Sequence, residues 1–261
     1  ALPSPLRISL LSQPSLPLSL FSQTDTTIYS QYRQAVPVPA AQLPSAQLPK
    51  TLEAIAAFVQ AHPNYALAYA EQAHLALKAE RSALLQRSLE QLERLKQPAQ
   101  STVYLAGADL AHRQKHYPLA LKLLQQLQQT HGESKAALLQ QAAVYRALNN
   151  ATDAFKVLQK AQQRAPKSPA VRYALAQYYQ SSNPRQSATL YQQLLSYNDY
   201  RPVALAALGG LYWKLYQADP GPNNRPNLER AAQYYRQYAQ LRPKDQSVAQ
   251  LLEQFELLLK D

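Results

Sequence analysis

Asp109, His112 and His116 stand at i, i+3 and i+7, which puts one carboxylate and two imidazoles on one side of a helix. Such a set could ligate zinc or pass protons. Zinc asks for a fourth donor that the sequence does not supply, and Arg113 and Lys115 add positive charge beside the three, so no metal site is read here. His116 is instead expected to pack in a turn between helices. The carboxylate pairs Glu90 and Glu93, and Glu253 and Glu256, lie along single helices, whereas glycoside hydrolysis needs two carboxyl groups facing each other across a cleft. No His-Glu-x-x-His, glycine-rich phosphate loop or nucleophile elbow occurs. Cysteine is absent, which removes disulfides, thiol chemistry and thiolate metal sites. The chain is read as a non-enzyme without a cofactor.

The elements carrying these residues follow from composition and period. Apolar residues make up 46% of 261 positions, glycine is limited to five, and β-branched residues are sparse after residue 50, which favours helices packed on helices. Lys and Arg outnumber Asp and Glu by 27 to 16, giving a formal charge of +11. That field suits an acidic partner, an anionic membrane surface or nucleic acid. The bases are spread singly with no run of five, so a generic basic surface is favoured over a dedicated nucleic-acid site. No uninterrupted apolar run approaches the length of a membrane-spanning helix. A first residue Ala1 and the lack of any Met fit cleavage by signal peptidase, and trimming of a longer chain gives the same start; the expectation is an exported, periplasmic bacterial protein, associated with the outer membrane.

Residues 1–50 differ from the rest. Prolines at 3, 5, 14, 17, 37, 39, 44 and 49 disfavour a long helix. Leu6 to Leu11 and Leu16 to Phe21 could lie extended, and Asp25 to Val36 could form a short helix. This region reads either as a flexible leader or linker, or as an arm that covers an end of the following array or docks a partner. From residue 51 to 261 the period is that of amphipathic helices: Thr51 to Ala61, Ala66 to Lys78, Ser82 to Lys96, and so on in pairs. Ala120, Ala154 and Ala188 recur at an interval of 34, with small residues 12 positions upstream at Ala108, Ala142 and Ala176. Tyr145 and Tyr179 follow two of these, and Pro166 and Pro243 close two units. Small side chains allow close helix crossings, and a neighbouring aromatic fills the wider gap.

This pattern resembles the tetratricopeptide repeat family, built from 34-residue helix-turn-helix units. The resemblance covers residues 66–99, 101–134, 135–168, 169–201 and 202–245, with Thr51 to Ala61 as half of an opening unit, Ser247 to Leu259 as a terminal cap, and an insertion from Gln217 to Asn227. The family's usual Trp on the first helix is replaced by Tyr69, Tyr104, Leu138, Arg172 and Leu205; Arg172 departs furthest, and its unit is expected to be distorted or to pack the aliphatic stem. The resemblance implies an all-α, right-handed α-solenoid of antiparallel helix pairs with a concave surface lined by the first helices. On that architecture the partner-binding residues are His74, Lys78, Leu105, Asp109, His112, Arg113, Leu139, Arg146, Tyr173, Gln177, Gln180, Trp213 and Lys214. Trp213 reads as core or as a binding anchor beside the insertion. The Lys and Asn pair by which some members clamp a terminal carboxylate is absent, since Ala70 with His74, Leu105 with Asp109, Leu139 with Ala143 and Tyr173 with Gln177 occupy those places. The implied partner is a protein or extended peptide, acidic or polar between hydrophobic anchors, in a secretion, pilus or outer-membrane assembly system, where an envelope membrane protein is one such partner. A helical accessory domain of a polysaccharide synthesis or export machine, touching glycan, is the alternative, and a nucleic-acid adaptor is a third.

Overall fold

A computed structural model describes residues 23–260; the apolar stretches from Leu6 to Leu11 and from Leu16 to Phe21 lie outside them. The described residues are helical apart from turns and short connections, with no strand among them. The chain divides between Asn150 and Ala151 into two compact units. The N-terminal unit holds α1 (Gln23–Ala35), two 3-10 turns (Ala40–Gln42 and Ser45–Gln47), α2 (Leu48–Ala61), α3 (Ala66–Lys78), α4 (Ser82–Arg94), α5 (Ser101–Arg113), α6 (Tyr117–His131) and α7 (Lys135–Ala147). The C-terminal unit holds α8 (Ala151–Arg164), α9 (Pro169–Ser182), α10 (Pro184–Leu194), α11 (Arg201–Ala218), α12 (Arg225–Leu241) and α13 (Gln246–Leu258). Helices α3 with α4, α5 with α6, α9 with α10 and α11 with α12 make the most extensive contacts, as helix hairpins do. The expected unit over residues 135–168 straddles the division, with α7 closing one unit and α8 opening the other.

Small residues set the helix spacing. Ala73, Ala76, Ala108, Ala111 and Ala120 are buried in one continuous core with Leu85, Leu89, Leu123 and Leu124. Gly107 marks the closest approach there: a Cβ on it would lie 2.7 Å from Leu85 Cδ2 and 3.1 Å from Leu123 Cδ1. Tyr69, Tyr104, Leu138 and Leu205, in the place of the family's Trp, are all buried. Arg172 is half-buried and leaves α9 unbroken. Its guanidinium carbon sits 5.7 Å from the centre of the Tyr197 ring and its Nη1 donates to the Tyr197 hydroxyl at 3.4 Å, so the charged end of the side chain is turned toward Tyr197.

The turn geometry is one feature the sequence does not announce. Glu80, Lys96, Lys115 and Asn149 all have φ between 52° and 60°, the left-handed region. The N–H of the next residue then reaches back to the last helical turn: Arg81 to Ala76 O, Gln97 to Leu92 O, His116 to Ala111 O and Asn150 to Tyr145 O. This is the helix ending that glycine usually serves; here charged or amide side chains stand in its place at some conformational cost. Lys115→Gly should therefore raise the unfolding free energy by about 0.5–1 kcal/mol, while Lys115→Val should lower it, read from urea melts.

The described part of the proline-bearing region, residues 23–47, packs on the helices that follow it. Tyr32, Val36, Ala40 and Leu43 are buried with Leu52, Ile55, Phe58, Tyr65, Ala68 and Leu75 from α2 and α3. The helix expected from Asp25 to Val36 runs from Gln23 to Ala35, and α2 begins three residues before Thr51 because Pro49 falls in its first turn, where a missing N–H costs nothing. The insertion is also shorter as a loop than its composition suggests. Helix α11 runs on to Ala218 and α12 starts at Arg225, and Asn224 Nδ2 donates to Leu215 O at 2.7 Å and Asp219 O at 3.1 Å, tying the turn to the end of α11.

Candidate partner-binding faces

In the N-terminal unit the exposed side of α3 is already engaged. Glu71 is paired with Arg33 of α1: Nη2 lies 2.5 Å from Oε1 and Nη1 donates to Oε2 at 3.2 Å. The Tyr32 hydroxyl donates to the same Oε2 at 3.0 Å, and burial together with that neighbouring carboxylate raises the phenol's pKa. Two turns along the helix, Lys78 Nζ donates to Ala40 O at 2.7 Å and, more weakly, to Leu43 O at 3.5 Å. One expected groove lysine thus holds the chain's own backbone. His74 lies between, and burial, helped by the Lys78 charge, lowers its pKa against the opposing pull of Glu71.

On α5, Arg113 spans two acids, with Nε donating to Asp109 Oδ2 at 3.2 Å and Nη1 to Glu80 Oε1 at 3.0 Å. His112 sits 5.8 Å from the Tyr117 ring centre, and its pKa is lowered first by burial and also by the charge of Arg146 on α7, with Asp109 opposing. Leu105 is half-buried against the core, Leu139 is half-buried, and Arg146 is exposed. His116 is exposed, and its Nδ1 shares a 3.3 Å hydrogen bond with the Ser82 hydroxyl. Among the described residues no group of three or more His, Asp or Glu is placed to hold a metal ion.

The histidines carry a pH dependence. An imidazole whose folded pKa lies below 6.5 binds fewer protons folded than unfolded, so the stability it permits is fully present above about pH 6.5 and falls as pH drops below that value. The N-terminal unit should lose stability as pH falls below about 6.5, and His74→Gln with His112→Gln should flatten that slope in pH-dependent urea melts.

In the C-terminal unit the face is aromatic and amide. Tyr173 and Tyr200, both half-buried, lie 5.8 Å apart between ring centres, and Tyr173 meets the buried Tyr191 edge-on at 6.1 Å. Gln177 Nε2 donates to the Tyr173 hydroxyl at 2.7 Å and Gln180 Nε2 to the Tyr191 hydroxyl at 3.1 Å. Trp213 is half-buried, stacked on Tyr216 at 5.7 Å and tilted against the buried Phe255 of α13 at 4.8 Å, so it serves the core while keeping some surface. Lys214 is exposed beside it.

Four contributors were not among the sequence candidates: Arg33, Glu71, Tyr197 and Tyr200. Glu71 shares a face with His74 and Lys78 and could have been found as an acid between them. Arg33 could not, because its place depends on how the segment before α2 folds back.

No protein-family model and no curated protein sequence matches the chain. Solved structures do. YrrB, described as a TPR protein with an unusual peptide-binding site, superposes with a TM-score of 0.55 at 13% identity, covering 77% of this chain and 99% of its own. PilF of Pseudomonas aeruginosa gives 0.56 at 14% identity, and PilW, described as a widely conserved type IV pilus biogenesis factor, gives 0.55 at 14%; each covers 89% of this chain and all of its own. At such identities the likeness is one of fold: the chain has the helix-pair fold of tetratricopeptide repeat proteins.

Proposed function

We propose that the chain is a non-catalytic scaffold that captures extended polypeptide on the first-helix faces of its two units, α5 and α7 in one and α9 and α11 in the other, within an exported bacterial assembly or secretion system. The observation that carries this reading is internal: α3 holds residues 32–43 with a carboxylate that grips a guanidinium and a lysine that donates to main-chain carbonyl oxygens. That is the chemistry of peptide capture performed within one chain. Main-chain contacts supply affinity for any sequence, and side-chain pockets select among sequences. A mostly pre-formed helical surface lowers the ordering cost of holding a flexible partner.

Further support comes from fold likeness to PilF and PilW, the latter described as a pilus biogenesis factor, and to YrrB with its peptide-binding site. The assembly-system context rests on PilW, and the peptide mode on YrrB. Among the described residues no helix is long and apolar enough to cross a membrane. Immobilised protein incubated with bacterial envelope extract should retain a defined polypeptide. Arg146→Glu combined with Lys214→Glu should reduce the retained amount at least about tenfold while the circular-dichroism spectrum stays helical. Equal retention by the variant would count against these faces.

A further inference from the structure

We infer that the exposed side of α8 attaches the protein to an anionic lipid surface. This goes beyond polypeptide capture, because α8 is not one of the helices assigned to it. The first ground is charge segregation. Between Asp153 and Asp199 the chain holds six Lys or Arg and no Asp or Glu. Lys156, Lys160 and Arg164 stand at i, i+4 and i+8 on α8, which places them in a row along one side, and Lys167 follows in the turn to α9. All four are exposed, as are Gln159 and Gln163 among them. Elsewhere cations of this chain are matched by acids on another helix, as Arg33 is by Glu71, Lys122 by Glu90 and Arg236 by Glu256. On α8 Asp153 is the one acid, and its carboxylate meets Lys156 at 3.2 Å. The side chains of Lys160 and Lys167 form no ion pair or hydrogen bond among the described residues.

The second ground is what the row lacks. The opposite side of α8 is buried through Ala154, Val157, Leu158 and Ala161, and Phe155 is half-buried and stacked on Tyr178 at 4.9 Å between ring centres. None of the large apolar side chains exposed among the described residues lies on α8. A polypeptide bound with affinity needs apolar anchors or pockets, and a single strand of nucleic acid needs rings on which to stack its bases. The row offers neither. A lipid surface requires neither: its headgroups diffuse, so they gather beneath fixed cations without a matching register, and each Lys or Arg near the surface adds attraction. With no apolar side left to insert, the attachment is electrostatic and reversible, and salt weakens it. Among the described residues no helix is long and apolar enough to cross a membrane, so attachment through α8 is peripheral.

The test is flotation of the full chain with vesicles of phosphatidylcholine, alone or mixed with phosphatidylglycerol, at low salt and in about 0.5 M NaCl. The protein should float with the anionic vesicles and only at low salt. Lys160→Glu with Lys167→Glu should weaken that binding at least about tenfold while the circular-dichroism spectrum stays helical. Lys50→Glu with Lys260→Glu makes the same change of net charge at exposed residues outside α8 and should weaken it far less. Three results would overturn the inference: no flotation with anionic vesicles at low salt, equal weakening by the two double variants, or tighter binding of a short DNA duplex or of polyglutamate than of the vesicles at matched negative charge. Absence of flotation from a protein that still retains envelope polypeptide would sink this inference and leave the capture reading standing.

Discussion

Glu71→Ala should lower the unfolding free energy of the N-terminal unit by about 3 kcal/mol. The Arg33 and Glu71 side chains are only 21% and 12% exposed, so removing the acid strands a guanidinium and the Tyr32 hydroxyl with little water to replace it. Surface pairs behave differently. Lys122–Glu90, with both side chains well exposed, should contribute no more than about 1 kcal/mol although its N···O distance is 2.7 Å. Replacing both partners with apolar residues of similar size, Arg33→Met with Glu71→Leu, should recover at least half of the loss, because the stranded charge is then gone. Urea melts of the two variants decide this. A loss below about 1 kcal/mol for Glu71→Ala would mean that the Arg33–Glu71 pair does little to hold α1 in place.

Two adjacent glycines in α11 should respond with opposite signs. A Cβ on Gly209 would lie 2.7 Å from both Cδ2 and Cε2 of Tyr235 and 3.0 Å from Cγ, and that ring is wedged 5.9 Å from the buried Phe255. It is the near edge of a rigid ring that is struck, so the ring must turn or the α11–α12 crossing must widen. Overpacking of this kind costs about 1–3 kcal/mol, more than the helix propensity of about 1 kcal/mol that alanine adds. Gly209→Ala should therefore destabilise by about 1–2 kcal/mol. At Gly210 the nearest atom is the Tyr235 hydroxyl oxygen at 3.4 Å, an ordinary contact, and Gly210→Ala should stabilise by about 0.5–1 kcal/mol. Thermal or urea melts of the two variants side by side remove most systematic error. Destabilisation by both would indicate that α11 and α12 pack more tightly than the ring contacts imply.

The hairpins were legible because their signal is repetitive. Ala120 and Ala154, 34 residues apart, are both buried, and Ala108, Ala142 and Ala176 occupy buried crossings as their spacing requires. Helix α3 begins and ends where its period and flanking turns placed it, at Ala66 and Lys78. What the spacing could not reveal was tertiary or conformational. Left-handed turn residues are usually found by looking for glycine, and this chain places Glu80, Lys96, Lys115 and Asn149 there. The fold-back of residues 32–43 depends on Tyr32, Val36, Ala40 and Leu43 finding Ile55 and Phe58 across the proline-bearing turn, a pairing with no period of its own. Register arguments also choose positions and cannot tell which are engaged. Lys78 was chosen for its place and proves to hold Ala40 O, whereas Tyr200, one residue before α11, lay outside any helical register and reaches the Tyr173 ring.

The claim that these helix faces hold a polypeptide is tested most directly by amide hydrogen exchange on the full chain with and without the polypeptide it retains from envelope extract. Protection should concentrate in α5, α7, α9 and α11, with α4, α6, α10 and α12 unchanged. Protection confined to the second helices of the hairpins, or none at saturating partner, would contradict it.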